Sequence, residues 1–237
     1  MSAPTEFAPG LVIQGFQPPL RLSDFKLIAF DMDSTLINIE CVDEIADAAG
    51  RKQEVAAITE AAMQGLITDY KESLRQRVAL LKGVSTAHLE SVFTERLRFN
   101  PGARELIDAA KAAGLTTLLV SGGFTFFSDR VKSGLSIDFA RSNVLEVEAG
   151  QLTGRMVDQP WGDICDGAEK RRTLLEVTSL MGISPSQAIA VGDGANDLPM
   201  MGVAGLSVAY HAKPKVRTQA NVAINQGGLD RLLQVLR

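Results

Sequence analysis

From Pro101 onward, short apolar runs of β-forming residues alternate with stretches in which apolar residues recur every three or four positions. Repetition of this kind admits few folds, because parallel strands need right-handed crossover helices, and those helices cover both faces of the sheet. The pattern predicts strands over 26–30, 115–120, 137–140, 188–191, 206–210 and 222–224. It predicts helices over 103–113, 124–132, 167–181 and 197–202 and from Leu229 onward. A β-hairpin is expected from 144–147 to 152–156, turning at Ala149-Gly150. The fold class is therefore α/β, with a Rossmann-like, doubly wound, mostly parallel sheet.

One stretch breaks the alternation. After the first strand, Ile39, Val42, Ile45, Ala46 and Ala49 follow helical spacing up to Gly50. Helix-compatible segments over 52–64, 69–81 and 86–97 come next, separated at Gly65 and Gly83, with no convincing strand among them. The expected division is a lead-in over 1–24, an α/β core over 25–38 and 99–237, and a small helical block over 39–98 inserted after the first strand. Within the lead-in, 11–13 suits a short edge strand.

Composition narrows the function classes. A chain of 237 residues with 46% hydrophobic and 22% charged residues is an ordinary folded protein. The net charge of −4, with Lys and Arg scattered, argues against a nucleic-acid partner. No charge-free apolar run reaches the length of a membrane span. Two cysteines, Cys41 and Cys165, build no disulfide framework and read as packing residues in a reducing compartment. The first twenty residues lack the basic start and apolar core of a secretion signal, so a cytoplasmic protein is expected. Neither monomer nor homodimer is favoured.

The strand ends carry the chemistry. The first runs into Asp31-Met32-Asp33, the second into Ser121-Gly122-Gly123, and a later one into Gly192-Asp193-Gly194-Ala195-Asn196-Asp197, while Lys170 lies near the start of a helix. In a parallel sheet all these loops open on one edge, where α/β folds bind ligands. Ser121 and the glycine N–H groups can hold phosphate oxygens, Lys170 can neutralise them, and Asp31 with Asp193 can hold a magnesium ion. A carboxylate can then attack phosphorus, and Asp33 can move the proton of the leaving alcohol. Each piece alone also fits a plain turn or a solvated charge; jointly and in this order they point to phosphate chemistry. An EF-hand from Asp31 fails, since Leu36 and Val42 stand where Gly and Glu are needed. The glycines around Asp193 fail the dinucleotide fingerprint, since Asp197 replaces the last one.

These motifs resemble the haloacid dehalogenase-like superfamily of aspartate-nucleophile phosphatases, from about Lys26 to the C-terminus. Glu40, Val42 to Ala46, Ile58-Thr59, Ala62-Met63, Ser73-Leu74 and Arg77-Val78 further resemble the helical cap of those members that release phosphate from phosphoserine. The resemblance implies Asp31 as nucleophile and Asp33 as general acid and base. It implies a Mg2+ cofactor held by Asp31, the Asp33 carbonyl and Asp193, supported by Asn196 and Asp197. Phosphate would meet Ser121, Gly122 and Lys170. The substrate's ammonium would meet Glu40 and its carboxylate Arg77, with Met63 and Tyr70 on the cap wall. Tyr70 departs from the family's usual Phe, and the turn over 65–69 is one residue longer than its pattern. The implied substrate is a small phosphomonoester. A transferase passing the phosphate to another alcohol such as homoserine would use the same residues, and a non-enzymatic phosphate-binding or phospho-receiver module is the alternative from another class.

Overall fold

Apolar side chains at successive positions suit a strand buried on both faces. The computed structural model, which describes residues 4–63 and 67–237, places Leu27 to Phe30 at the centre of the sheet. Among the described residues nine strands follow one another: β1 (Thr5–Ala8), β2 (Leu11–Ile13), β3 (Leu27–Phe30), β4 (Thr116–Phe124), β5 (Phe139–Glu148), β6 (Gln151–Val157), β7 (Ala188–Gly192), β8 (Leu206–Tyr210) and β9 (Val222–Ile224). Their spatial order is β1-β2-β9-β8-β7-β3-β4-β5-β6. From β9 across to β5 every pairing is parallel, and the antiparallel pairings lie at the two ends. This is the mostly parallel α/β sheet that the alternation predicts.

Among the described residues, four helices lie between β3 and the return of the chain at Phe99: α1 (Cys41–Ala48), α2 (Lys52–Met63), α3 (Tyr70–Ala79) and α4 (Thr86–Ser91), the last continuing into a π-helical turn over Val92–Arg96. They are followed by α5 (Ala103–Ala112), α6 (Thr125–Leu135), α7 (Gly167–Leu180), α8 (Leu198–Met201) and α9 (Pro214–Arg217). Leu27 and Ala29 of β3 pack in one cluster with Leu174, Met200 and Val216 from α7, α8 and α9. Ile28 and Phe30 pack in the other, with Leu106, Phe127 and Val131 from α5 and α6. Each fully buried Leu, Ile or Phe contributes about 1.5–3 kcal/mol, and a one-residue slip of β3 would exchange the two sets, so its register is fixed. From β3 the chain steps to β4 and β5 on one side, then crosses back to β7, β8 and β9 on the other. The reversal leaves a crevice at the carboxyl ends of β3, β4 and β7.

The structure corrects several expected boundaries. Ser121-Gly122-Gly123 is the last part of β4 rather than a loop, with an irregular register against β5 between Val120 and Phe124. The strands expected over 137–140 and 144–147 form the single strand β5, because polar Ser142 and Asn143 are buried within it. Strand 11–13 is present but not at the edge, since β1 pairs outside it. The final helix is a 3-10 segment over Leu229–Gln234, and α9 was not expected. Residues 65 and 66 of the expected turn over 65–69, and the side chain of Met63, fall outside the described residues.

The chain departs for the helices and returns at adjacent positions. Ile37 bridges Phe99. The Asn38 N–H donates to the Arg98 carbonyl at 3.0 Å, and the Arg98 N–H donates to Asn38 Oδ1 at 2.7 Å. Asn100 Nδ2 donates to the carbonyls of Thr35 at 2.8 Å and Ile37 at 3.0 Å. No helix among the described residues is long and apolar enough to cross a membrane.

Candidate active site

The β3–β7 ladder continues one bond past Phe30, from the Asp31 N–H to the Val191 carbonyl at 2.9 Å. The chain then turns, and the N–H groups of Thr35, Leu36 and Ile37 all donate to the Met32 carbonyl. This fixes Asp31 at the strand end. Its Oδ1 accepts the Met32 N–H at 2.7 Å and lies 2.7 Å from Lys170 Nζ. Lys170 stands in the first turn of α7, whose Asp166 cap accepts the Glu169 N–H at 2.8 Å. Its ammonium also donates to Asp197 Oδ1 at 2.7 Å.

Beyond the end of β7, Asp193 Oδ1 accepts Thr35 Oγ1 at 3.1 Å. Asp197 Oδ2 accepts the N–H groups of Asp193 at 3.2 Å and Gly194 at 3.0 Å. Carboxylate oxygens of Asp31, Asp193 and Asp197 all lie within 4.8 Å of one another. Asn196, half-buried, sets its Oδ1 against Gly194, where any Cβ would collide with it.

The charges are unequal and crowded. Burial, then Asp197, push the Asp31 pKa well above its usual value against the opposing pull of Lys170. Burial, then Asp197 and Glu40, raise Asp193 to about 7. Burial works against the Lys170 charge, yet Asp197 and Asp31 hold its pKa well above the ordinary lysine value. Three carboxylates against one ammonium leave an anionic excess among oxygen donors, which fits a hard divalent cation. Asp33 behaves differently: burial and Glu40 raise it to about 7, so near neutral pH it can both give and take a proton. Its Oδ2 accepts the Cys41 N–H at 3.0 Å and its Oδ1 the Cys41 thiol at 3.1 Å.

Across the crevice, the Oγ of buried Ser121 accepts the Gly123 N–H at 2.9 Å. Asn143 Nδ2 donates to the Gly122 carbonyl at 2.7 Å, and Asn143 Oδ1 accepts the Cys165 N–H at 2.8 Å. Both glycines are required by close approach. A Cβ at Gly122 would collide with the Tyr70 hydroxyl, and one at Gly123 would stand 2.8 Å from Met32 Cε and 3.4 Å from Asp33 Oδ1.

Helices α1 and α3 supply the remaining groups. Glu40 caps the start of α1, and its Oε1 accepts the Ser34 hydroxyl at 2.6 Å. Ser34 takes a left-handed conformation, φ 55°, to reach it. Burial raises the Glu40 pKa, and the charge of Arg77 opposes that rise at both Glu40 and Asp43. Burial also pushes the Tyr70 phenol above its usual range. Lys71 and Arg75 tie α3 to Asp163, at 2.7 Å and 2.5 Å. The structure thus gathers Asp31, Asp33, Ser121, Gly122, Lys170, Asp193, Asn196 and Asp197 at one sheet edge, with Glu40, Tyr70 and Arg77 arriving from the helices.

The model of the haloacid dehalogenase-like hydrolase family matches residues 28–202. The chain belongs to that family. Among its relatives in the haloacid dehalogenase-like family, phosphoserine phosphatase of Albidiferax ferrireducens is 74% identical over 234 residues, 99% of both chains. A solved phospho-aspartyl intermediate analogue of phosphoserine phosphatase superposes with a TM-score of 0.82 at 38% identity, covering 90% of this chain and 99% of its own. A substrate-bound phosphoserine phosphatase complex matches equally, at TM-score 0.82 and 38% identity over the same shares of the two chains.

Three residues around this hydrolase site carried no legible sign in the sequence. Cys41 reads as a packing residue, Asn143 like a break between strands, and Ser34 like a spacer between motif residues. In the structure each makes a hydrogen bond to a candidate site residue.

Proposed function

We propose that the chain is a magnesium-dependent phosphatase that hydrolyses O-phospho-L-serine to L-serine and phosphate. The observation that carries the substrate is the 74% identity, over 99% of both chains, with a protein named phosphoserine phosphatase. In this reading Asp31 is the nucleophile, and Asp31, Asp193 and the Asp33 carbonyl hold the ion, with Asn196 and Asp197 behind them. When bound, the ion offsets charge repulsion between the anionic nucleophile and the anionic ester.

The chain's own residues do the rest. Asp31 attacks phosphorus, the bond from phosphorus to the serine oxygen breaks, and Asp33 gives that oxygen its proton. Water then attacks the aspartyl phosphate, Asp33 takes the water's proton, and cleavage at the acyl phosphate returns Asp31 as a carboxylate. Ser121, the Gly122 backbone and Lys170 hold the phosphate oxygens through both displacements. The helices over 39–98 act as a cap. Glu40 meets the substrate's ammonium, and Arg77 meets its carboxylate with a planar fork that suits two oxygens. Tyr70 closes the wall, and Met63 is assigned to it by the family resemblance alone.

The reading extends to a cytoplasmic enzyme completing serine synthesis; two buried, unpaired thiols support a reducing compartment. The decisive test is a phosphomonoester panel with magnesium, containing both phosphoserine enantiomers, run on the wild type and Asp31→Asn, with and without homoserine. Turnover of the L enantiomer, abolished in folded Asp31→Asn and unchanged by homoserine, is expected. Normal turnover by Asp31→Asn would sink the nucleophile assignment, and phosphate transfer to homoserine would replace hydrolysis.

A further inference from the structure

We propose that Cys41 is a positioning residue for Asp33, its thiol holding the carboxyl group in the orientation that proton transfer requires. The inference rests on the reading of Asp33 as general acid and base. A carboxyl group turns easily about its last side-chain torsion, which has broad preferences, so a carboxylic acid aims its proton only if its neighbours fix its plane. Around Asp33 a single residue does this twice. The Cys41 N–H, the first of α1, donates to Oδ2 at 3.0 Å, and the Cys41 thiol donates to Oδ1 at 3.1 Å.

The two oxygens are not equivalent. Oδ1 is the one that faces Gly123, since a Cβ there would stand 3.4 Å from it, and Gly123 belongs to the strand end that carries Ser121 and Gly122. The thiol therefore engages the oxygen on the side of the proposed phosphate pocket. Cys41 is fully buried, so in the native site its S–H meets Asp33 without competition from bulk solvent. Its place in the chain adds a second consequence. Asp33 belongs to the loop after β3 and Cys41 to the first turn of α1, so the orientation of the acid depends on how the helices are seated over the site.

The test compares Cys41→Ala, Cys41→Ser and Asp33→Asn in the full chain with magnesium, using two substrates. O-phospho-L-serine releases an alkoxide that needs a proton, whereas p-nitrophenyl phosphate releases a phenolate that leaves without one. The quantity read is kcat/KM, which covers steps through departure of the first leaving group. Cys41→Ala is expected to lose about tenfold on phosphoserine and less than about twofold on p-nitrophenyl phosphate, a fraction of what a whole general acid supplies. Cys41→Ser, which restores a donor, is expected to return within about threefold of the wild type on phosphoserine. Thermal midpoints are measured in parallel, and if Cys41→Ala melts early, Cys41→Val fills the space without a donor and carries the same expectation. Equal losses on both substrates, or wild-type kcat/KM in the variant lacking the donor, would overturn the positioning role while a crippled Asp33→Asn left the acid/base reading intact. Full activity of Asp33→Asn on phosphoserine would overturn both.

Discussion

Lys170 Nζ stands 2.7 Å from Asp31 Oδ1; the lysine side chain is fully buried and the aspartate keeps 8% exposure. The lysine is thus the fixed positive charge beside the proposed nucleophile, and it serves Asp197 at the same distance. Lys170→Met leaves two buried carboxylates without their partner. We expect it to destabilise the fold by about 3–5 kcal/mol in urea denaturation and to lower kcat by roughly a hundredfold or more. Lys170→Arg should not restore activity, since a fully buried site has no room for the wider guanidinium fork.

Arg77 is proposed to read the substrate's carboxylate. Arg77→Ala should therefore raise KM for phosphoserine at least about tenfold, the loss of a charge-assisted bidentate contact, while phosphoethanolamine, which lacks the carboxylate, changes little. Steady-state kinetics on both substrates decides it. Equal losses would assign Arg77 to the shape of the cap instead.

Gly122 and the Tyr70 hydroxyl occupy space that a methyl group would contest. Gly122→Ala is expected to cost about tenfold in kcat/KM by pushing α3 away from β4, in line with the sensitivity of catalysis to small displacements. Tyr70→Phe removes the contested oxygen. Combined with Gly122→Ala it should recover most of the loss, whereas losses that simply multiply would mean the two positions act separately.

Asp138 provides a pH test away from the site. Burial alone would raise its pKa, but the Thr117 N–H at 2.8 Å, the Thr117 hydroxyl at 2.7 Å and Lys111 at 3.0 Å hold it below the usual carboxylate value. A depressed folded-state pKa means stability that is fully present above the unfolded value, about 3.9, and is lost as pH falls through the folded one. Asp138→Asn should be less stable than wild type at pH near 7, with the gap narrowing below about pH 4. Chemical denaturation at both pH values measures it.

The residues differ in how much of their role the sequence discloses, and the reason is physical. Asp31, Asp33, Ser121 and Asp193 follow apolar runs that can only be buried strands, so their place at one sheet edge follows from strand polarity. Glu40 and Arg77 lie on helices where charged residues usually face water, and spacing cannot separate a ligand-facing charge from a solvated one; resemblance to the family singled them out. Ser142 and Asn143 concealed the continuity of β5, because their buried polarity is satisfied by partners remote in sequence, Ser128 Oγ at 2.7 Å and the Gly122 carbonyl at 2.7 Å. Cys41 was hidden for the opposite reason: a thiol suits a packed interior so well that nothing marked it as a donor.

The ladder that joins Ile37 and Asn38 to Arg98 and Phe99, locked by Asn100, has a consequence for how such a protein can change over generations. Because the exit and the return of the chain lie side by side, the helices between them can be lengthened, shortened or exchanged without altering the spacing of Asp31 from Asp193. In the proposed reading, substrate preference can then drift while Asp31 and Asp193 keep their spacing, provided that the first residue of α1 still holds the Asp33 carboxyl.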